Sequence, residues 1–278
     1  MICLRIVFIL LFVLSEVSFA QQNTRIYLEK MGDTLVYFID NNEPFPCTIE
    51  FSGNPVLENA KLEGEFIKMK LFDANSTRVP VAKFLQVDKK KKWGVKSMPN
   101  YTAYFGDVTI TKYDENYIYD LPFRSGSEFL VGQGYNGKFS HRNEYAIDFN
   151  MPIGTEILAS REGVVVKTVD HNTKNCVQEA CKLLGNYVRI YHNDGTIADY
   201  YHLNYKGVKV EVGDKVQKGD VIAYSGNTGY SNGPHLHFVV FIPTKGDNGR
   251  KTIKTLFRTG DGKKQEYLSE MKRYSRKY

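Results

Sequence analysis

Four cysteines in 278 residues are too few to build a disulfide scaffold, and no closely spaced pair is matched by a second, which argues against a cysteine zinc site. Long apolar runs are also lacking. The longest, residues 6–14, follows Arg5, is too short to span a bilayer, and leads into the small-residue stretch Ser18-Phe19-Ala20. This reads as a secretory signal peptide over residues 1–20, with no lipid-attachment cysteine at the cleavage point and no transmembrane segment in the mature chain. The expected destination is a periplasm, or secretion to a cell wall. There Cys176 and Cys181, in one polar stretch between strand-like segments, are expected to form a local disulfide, leaving Cys47 as a small buried hydrophobe.

Helical periodicity is nearly absent, and only residues 177–184 look briefly helical. Short alternating runs dominate instead. Over residues 21–118 they include Leu35-Val36-Tyr37-Phe38-Ile39 and Cys47-Thr48-Ile49-Glu50-Phe51, separated by Asp40-Asn41-Asn42 and Ser52-Gly53-Asn54-Pro55. This punctuation predicts an antiparallel β-sandwich-like accessory domain. That stretch has no histidine and no catalytic grouping of acids, so it reads as a support or recognition module. Residues 119–126 read as a linker, and residues 119–243 as a second all-β domain. Within it Asn193-Asp194-Gly195 forms a tight turn, and a turn-then-strand unit repeats over residues 212–222.

A net excess of basic charge is lacking until the end. Residues 244–278 carry eleven Lys or Arg against four Asp or Glu, so the chain's net +6 is a property of this stretch alone. It is expected to be a C-terminal extension that either holds an anionic polymer or is simply solvated.

All six histidines lie beyond residue 140. His171 and His192 fit structural or surface roles, because they sit beside Asp170 and a turn. The other four stand at the ends of short apolar strands. In Gly233-Pro234-His235-Leu236-His237-Phe238 the two imidazoles point to one side of a strand while Leu236 faces the core. His141, Asp148 and His202 can complete a metal site with them. Catalytic zinc takes three ligands from His, Asp or Glu and needs an acid–base group nearby, so these five residues suggest a zinc hydrolase.

Over residues 132–241 the chain resembles the lysostaphin/LytM-type zinc metallopeptidases that cut peptide bonds of bacterial peptidoglycan. The likeness rests on residues 141–148, Pro152-Ile153-Gly154-Thr155, Tyr201-His202-Leu203, Val212-Gly213-Asp214-Lys215-Val216 and Ser225-Gly226-Asn227-Thr228-Gly229, and above all on residues 233–238. The resemblance implies an antiparallel β peptidase domain with one zinc ion held by His141, Asp148 and His237. It implies catalytic roles without metal ligation for His202 and His235, without saying which is the base. It also implies peptidoglycan peptide stems as the partner and no nucleic acid; no protein partner is identifiable. One departure is the spacer Arg142 to Ile147, longer than the family's commonest pattern and typical of a variant group. Two alternatives stay open: a non-catalytic wall-binding or regulatory module, and a secreted peptidase acting on Gly-rich proteins.

Overall fold

The computed structural model describes residues 23–246 and 249–278, so the expected signal peptide lies outside the described residues. The described residues are almost entirely strand and turn, with one short 3-10 helix, Glu179–Leu184, in the segment that looked helical. No helix among them is long and apolar enough to cross a membrane. The chain divides into two compact units, Met1–Val108 and Thr109–Tyr278.

In the first unit, Thr24–Met31, Thr34–Asn41, Ser76–Gln86 and Ala60–Leu62 form one sheet in that order, and Met69–Phe72, Cys47–Ser52 and Asn100–Phe105 another. Alternation along Cys47–Ser52 drives Cys47, Ile49 and Phe51 inward. They join Tyr37, Ile39, Phe72 and Phe84 in one apolar cluster to which both sheets contribute. Burial pushes the Cys47 thiol up to about 11, so it behaves as a core hydrophobe.

The second unit is built on a nine-stranded antiparallel sheet. Its order is Lys215–Val216, Gly163–Val169, Tyr187–Tyr191, Ile197–Tyr201, His235–Pro243, Ala146–Asn150, Glu128–Gln133 and Arg273–Ser275, with Arg250–Ile253 also pairing the His235–Pro243 strand. The turn at Asn193-Asp194-Gly195 joins the Tyr187–Tyr191 and Ile197–Tyr201 strands, with Gly195 at φ 82. One face of the sheet packs Ile147, Phe149, Val188, Tyr200, Leu236 and Phe238 into the core, each worth about 1.5–3 kcal/mol when fully buried.

Three boundaries differ from the sequence expectation, the first being that the accessory unit ends at Val108 rather than at residue 118. Residues 119–126 are not a linker, because Ile118–Asp120 is a strand, and Leu121 and Phe123 are fully buried. Residues 250–278 are not an appended extension either. They supply Arg250–Ile253, Leu256–Thr259, Lys264–Tyr267 and Arg273–Ser275, which pair with strands from elsewhere in the unit or with each other. The physical reason is apolar burial: Ile253, Phe257, Leu268 and Tyr274 enter the core. Much of the basic charge is spent internally. Arg250 binds Glu144 at 2.7 Å, and Arg258 and Arg276 both reach Asp120, at 2.7 and 3.4 Å.

Candidate metal centre

Antiparallel register places the strand-borne residues. His237 stands opposite Asp148 in one neighbouring strand and opposite Tyr201 in the other, while His235 stands opposite Asn150. Because side chains alternate, His235 and His237 leave the sheet on the face away from buried Leu236 and Phe238. His237 Nδ1 lies 2.9 Å from Asp148 Oδ1.

His141 arrives from a loop. Its Nδ1 donates to the Gly134 carbonyl at 2.9 Å, which in the neutral ring leaves Nε2 with its lone pair. That Nε2 lies 3.1 Å from both Asp148 Oδ1 and His237 Nδ1. The donor atoms of His141, Asp148 and His237 all fall within 4.8 Å of one another, so the long spacer does not keep His141 from the cluster. In the neutral His141 ring Nε2 and Asp148 Oδ1 would both be acceptors, so without an ion between them their 3.1 Å contact requires a proton on Nε2. A divalent cation fits such a donor set, two imidazole nitrogens and one carboxylate.

The electrostatics are those of a buried, tightly coupled group. Burial by itself would raise the Asp148 carboxyl, but hydrogen bonds from His141 and His237 hold it well below the usual carboxylate range. Burial pulls His141 down, and the bonded Asp148 more than reverses this, raising it above the ordinary imidazole value. For His237 burial prevails over Asp148 and the ring is pushed down.

His202 and His235 approach the same cluster with ring centroids 4.5 Å apart, and His202 lies 5.9 Å from His237. Both are anchored through Nδ1, His202 to the Thr228 carbonyl at 2.6 Å and His235 to the Gly233 carbonyl at 2.8 Å. Each therefore keeps Nε2 as a proton acceptor, and that of His235 stands 3.7 Å from Asp148 Oδ1. His202 has φ 64, a left-handed conformation that costs a non-glycine residue about 1–3 kcal/mol. Thr228 helps to hold it there: its hydroxyl donates to Leu203 O at 2.9 Å and accepts from Asn186 N at 3.0 Å. Burial, then the neighbouring His235 and His237, push His202 down to about 3.

The loop that leads to His235 is braced. Gly229, at φ 84, passes so close to Gly185 that a Cβ would stand 2.6 Å from its Cα. Next to it Tyr230 pairs with Cys176, which is disulfide-bonded to Cys181. Ser231 then donates to Gly233 O at 2.8 Å and approaches His235 Nδ1 at 3.3 Å.

All five residues singled out in the sequence meet here. His171 is exposed outside the cluster, and His192 is buried in a separate polar group where its Nδ1 bonds Glu162 O at 2.7 Å. Sequence reasoning missed Gln133, which donates to Asp148 Oδ2, and the carbonyls of Gly134 and Thr228. A glutamine or a backbone carbonyl carries no chemical signature that sets it apart in a sequence.

Residues 142–251 match the family model Peptidase family M23. The chain carries an M23 peptidase domain. Among relatives of this M23 domain, an uncharacterized metalloprotease of Buchnera aphidicola is 47% identical over 109 residues, which is 39% of this chain and 26% of that protein. The peptidoglycan DD-endopeptidase ShyA of Vibrio cholerae is 39% identical over 104 residues, 37% of this chain and 21% of ShyA. Lysostaphin of Staphylococcus simulans is 40% identical over 95 residues, 34% of this chain and 17% of lysostaphin. The chain thus spans about a quarter or less of these relatives, and the likeness is between domains.

Proposed function

We propose that this chain is an exported zinc endopeptidase that hydrolyses peptide cross-links of bacterial peptidoglycan. The observation that carries the reading is the convergence of His141, Asp148 and His237 beside two further imidazoles, each with Nε2 free to accept a proton. The names of two relatives, a peptidoglycan DD-endopeptidase and lysostaphin, supply the substrate class.

In this reading His141, Asp148 and His237 hold the ion. Zinc, when bound, supplies Lewis acidity that lowers the pKa of water toward about 7 and polarises a carbonyl. The rest of the chemistry falls to the chain. Of His202 and His235, both anchored through Nδ1, one accepts the proton of an attacking water at Nε2 and returns it to the amine that leaves. Once protonated, that imidazole donates a hydrogen bond to the oxyanion of the tetrahedral intermediate. Their carbonyl anchors keep both rings in one orientation throughout. The Cys176–Cys181 disulfide supports an oxidising compartment such as a periplasm or cell exterior.

The test is incubation of zinc-loaded protein with purified sacculi, followed by labelling of new amino termini, with His237→Ala as the control. New termini from the wild type alone are expected. Their absence across directly linked and glycine-bridged walls, with binding to sacculi retained, would replace this reading with a wall-binding module.

A further inference from the structure

Gln133 faces Asp148 from the adjacent antiparallel strand, at a bulge where the register shifts between Val131 and Gln133. Its buried side chain is fully engaged. Nε2 donates to Asp148 Oδ2 at 3.1 Å and to Ser140 Oγ at 2.7 Å. Oε1 accepts from the backbone N–H groups of Phe139 and Ser140, at 3.0 and 3.1 Å. A single amide therefore joins the strand-borne carboxylate to the two residues just before His141.

The surrounding backbone is shaped to this side chain. A Cβ on Gly137 would collide with Gln133 Cγ, so the loop can wrap the amide only with glycine there. The next residue along from Gln133, Gly134, presents the carbonyl that orients the His141 ring. Between His141 and the strand Ala146–Asn150 the chain has only turn and irregular structure, which cannot by itself set the position of His141 relative to Asp148. The carboxylate has a comparable freedom: with Oδ1 turned to the two imidazoles, only a partner on Oδ2 stops rotation about its terminal torsion.

We propose that Gln133 is a positioning residue of the metal centre, holding Asp148 and the His141 loop in one frame. The proposal rests on reading His141, Asp148 and His237 as the ligand set. It explains how a long spacer yields a compact site: the constraint that a short covalent link would impose is supplied by hydrogen bonds from a third segment.

The full chain would be compared with Gln133→Met, which keeps length and bulk but no hydrogen bond, and with Ser140→Ala, which removes one exposed hydroxyl partner. Three quantities are read: zinc affinity by competition with a chelator, the visible absorption spectrum of the cobalt(II)-loaded protein, and the melting temperature of the metal-free protein. Gln133→Met is expected to bind zinc about 10–100-fold more weakly, the usual loss when a partner of a ligand is removed, and to show an altered cobalt spectrum. Ser140→Ala is expected to lose several-fold in affinity with an unchanged metal-free melting temperature. Unchanged affinity and an unchanged spectrum in Gln133→Met would overturn the proposal. Should that variant not fold, unchanged affinity and spectrum in Ser140→Ala would do so. A wild-type chain that takes neither zinc nor cobalt would instead overturn the reading of the ligand set itself.

Discussion

Asp148 and His237 are direct cross-strand partners, and the Nδ1 of one stands 2.9 Å from the Oδ1 of the other. Two potential ligands are thereby fixed by backbone pairing, in strands whose opposite faces are locked into the core by Phe149, Leu236 and Phe238. Only His141 and His202 depend on loops, and each of those rings is tied to a carbonyl.

The roles proposed for the five residues divide under mutation. Asp148→Ala and His237→Ala should lower zinc, measured by plasma mass spectrometry, from about one ion per chain to background, with activity lost. His202→Ala and His235→Ala should keep the ion, while kcat falls by about 10²–10⁴-fold, the usual size of an acid–base contribution. Full zinc in all four variants with unchanged rates would remove the site from consideration.

His192 predicts a pH effect on stability away from the metal centre. Burial first, and then the Arg161 charge, push its ring down to about 4. In the unfolded chain an imidazole takes up a proton below about pH 6.5. The unfolded state is therefore protonated first, and stability is lost as pH falls from about 6.5 to 4, by up to roughly 3 kcal/mol. Urea titrations of the metal-free protein at pH 7.5 and 4.5 should show wild type losing more stability over that interval than His192→Asn. Equal losses would show that His192 is not protonated on unfolding in this range.

Asp120 tests whether the C-terminal strands are integral. Its carboxylate is 3% exposed and binds Arg258 through Nε at 3.0 Å and Nη2 at 2.7 Å, with Arg276 at 3.4 Å. Asp120→Ala should destabilise the chain by about 1–3 kcal/mol in urea unfolding, because the buried Arg276 loses its counter-charge and the partly exposed Arg258 loses its bidentate partner. Removal of residues 250–278 should give aggregated protein by size-exclusion chromatography, since it uncovers the core around Phe257. A folded, monodisperse truncation would show that these strands merely decorate the unit.

Much of this molecule is written in local chemistry. The scarcity of helical periodicity and the alternation of short apolar runs lead directly to strands, because a period of two is a property of consecutive residues. The same period places His235 and His237 on one side of their strand with Leu236 on the other. The close spacing of Cys176 and Cys181 likewise points to the bond they form. The architecture beyond these local rules was less visible. Residues 244–278 looked like a basic extension, either solvated or held to an anionic polymer, yet Leu256–Thr259 pairs with Ile118–Asp120, a partner far away in sequence. Charge patterns misled there because a guanidinium that meets a buried carboxylate reads the same in a sequence as one that meets water.

The candidate site divides along the same line. Residue types and spacing were enough to single out His141, Asp148, His202, His235 and His237, since few side chains can hold a cation or move a proton. Folding alone could show that Gln133 ties Asp148 to the loop before His141, that Thr228 holds the left-handed His202, and that a bulge at residues 131–133 aims the amide. These are relations between segments brought together only when the sheet closes. Hydrogen bonds to backbone groups depend on that geometry rather than on residue identity, so no reading of one chain segment at a time contains them.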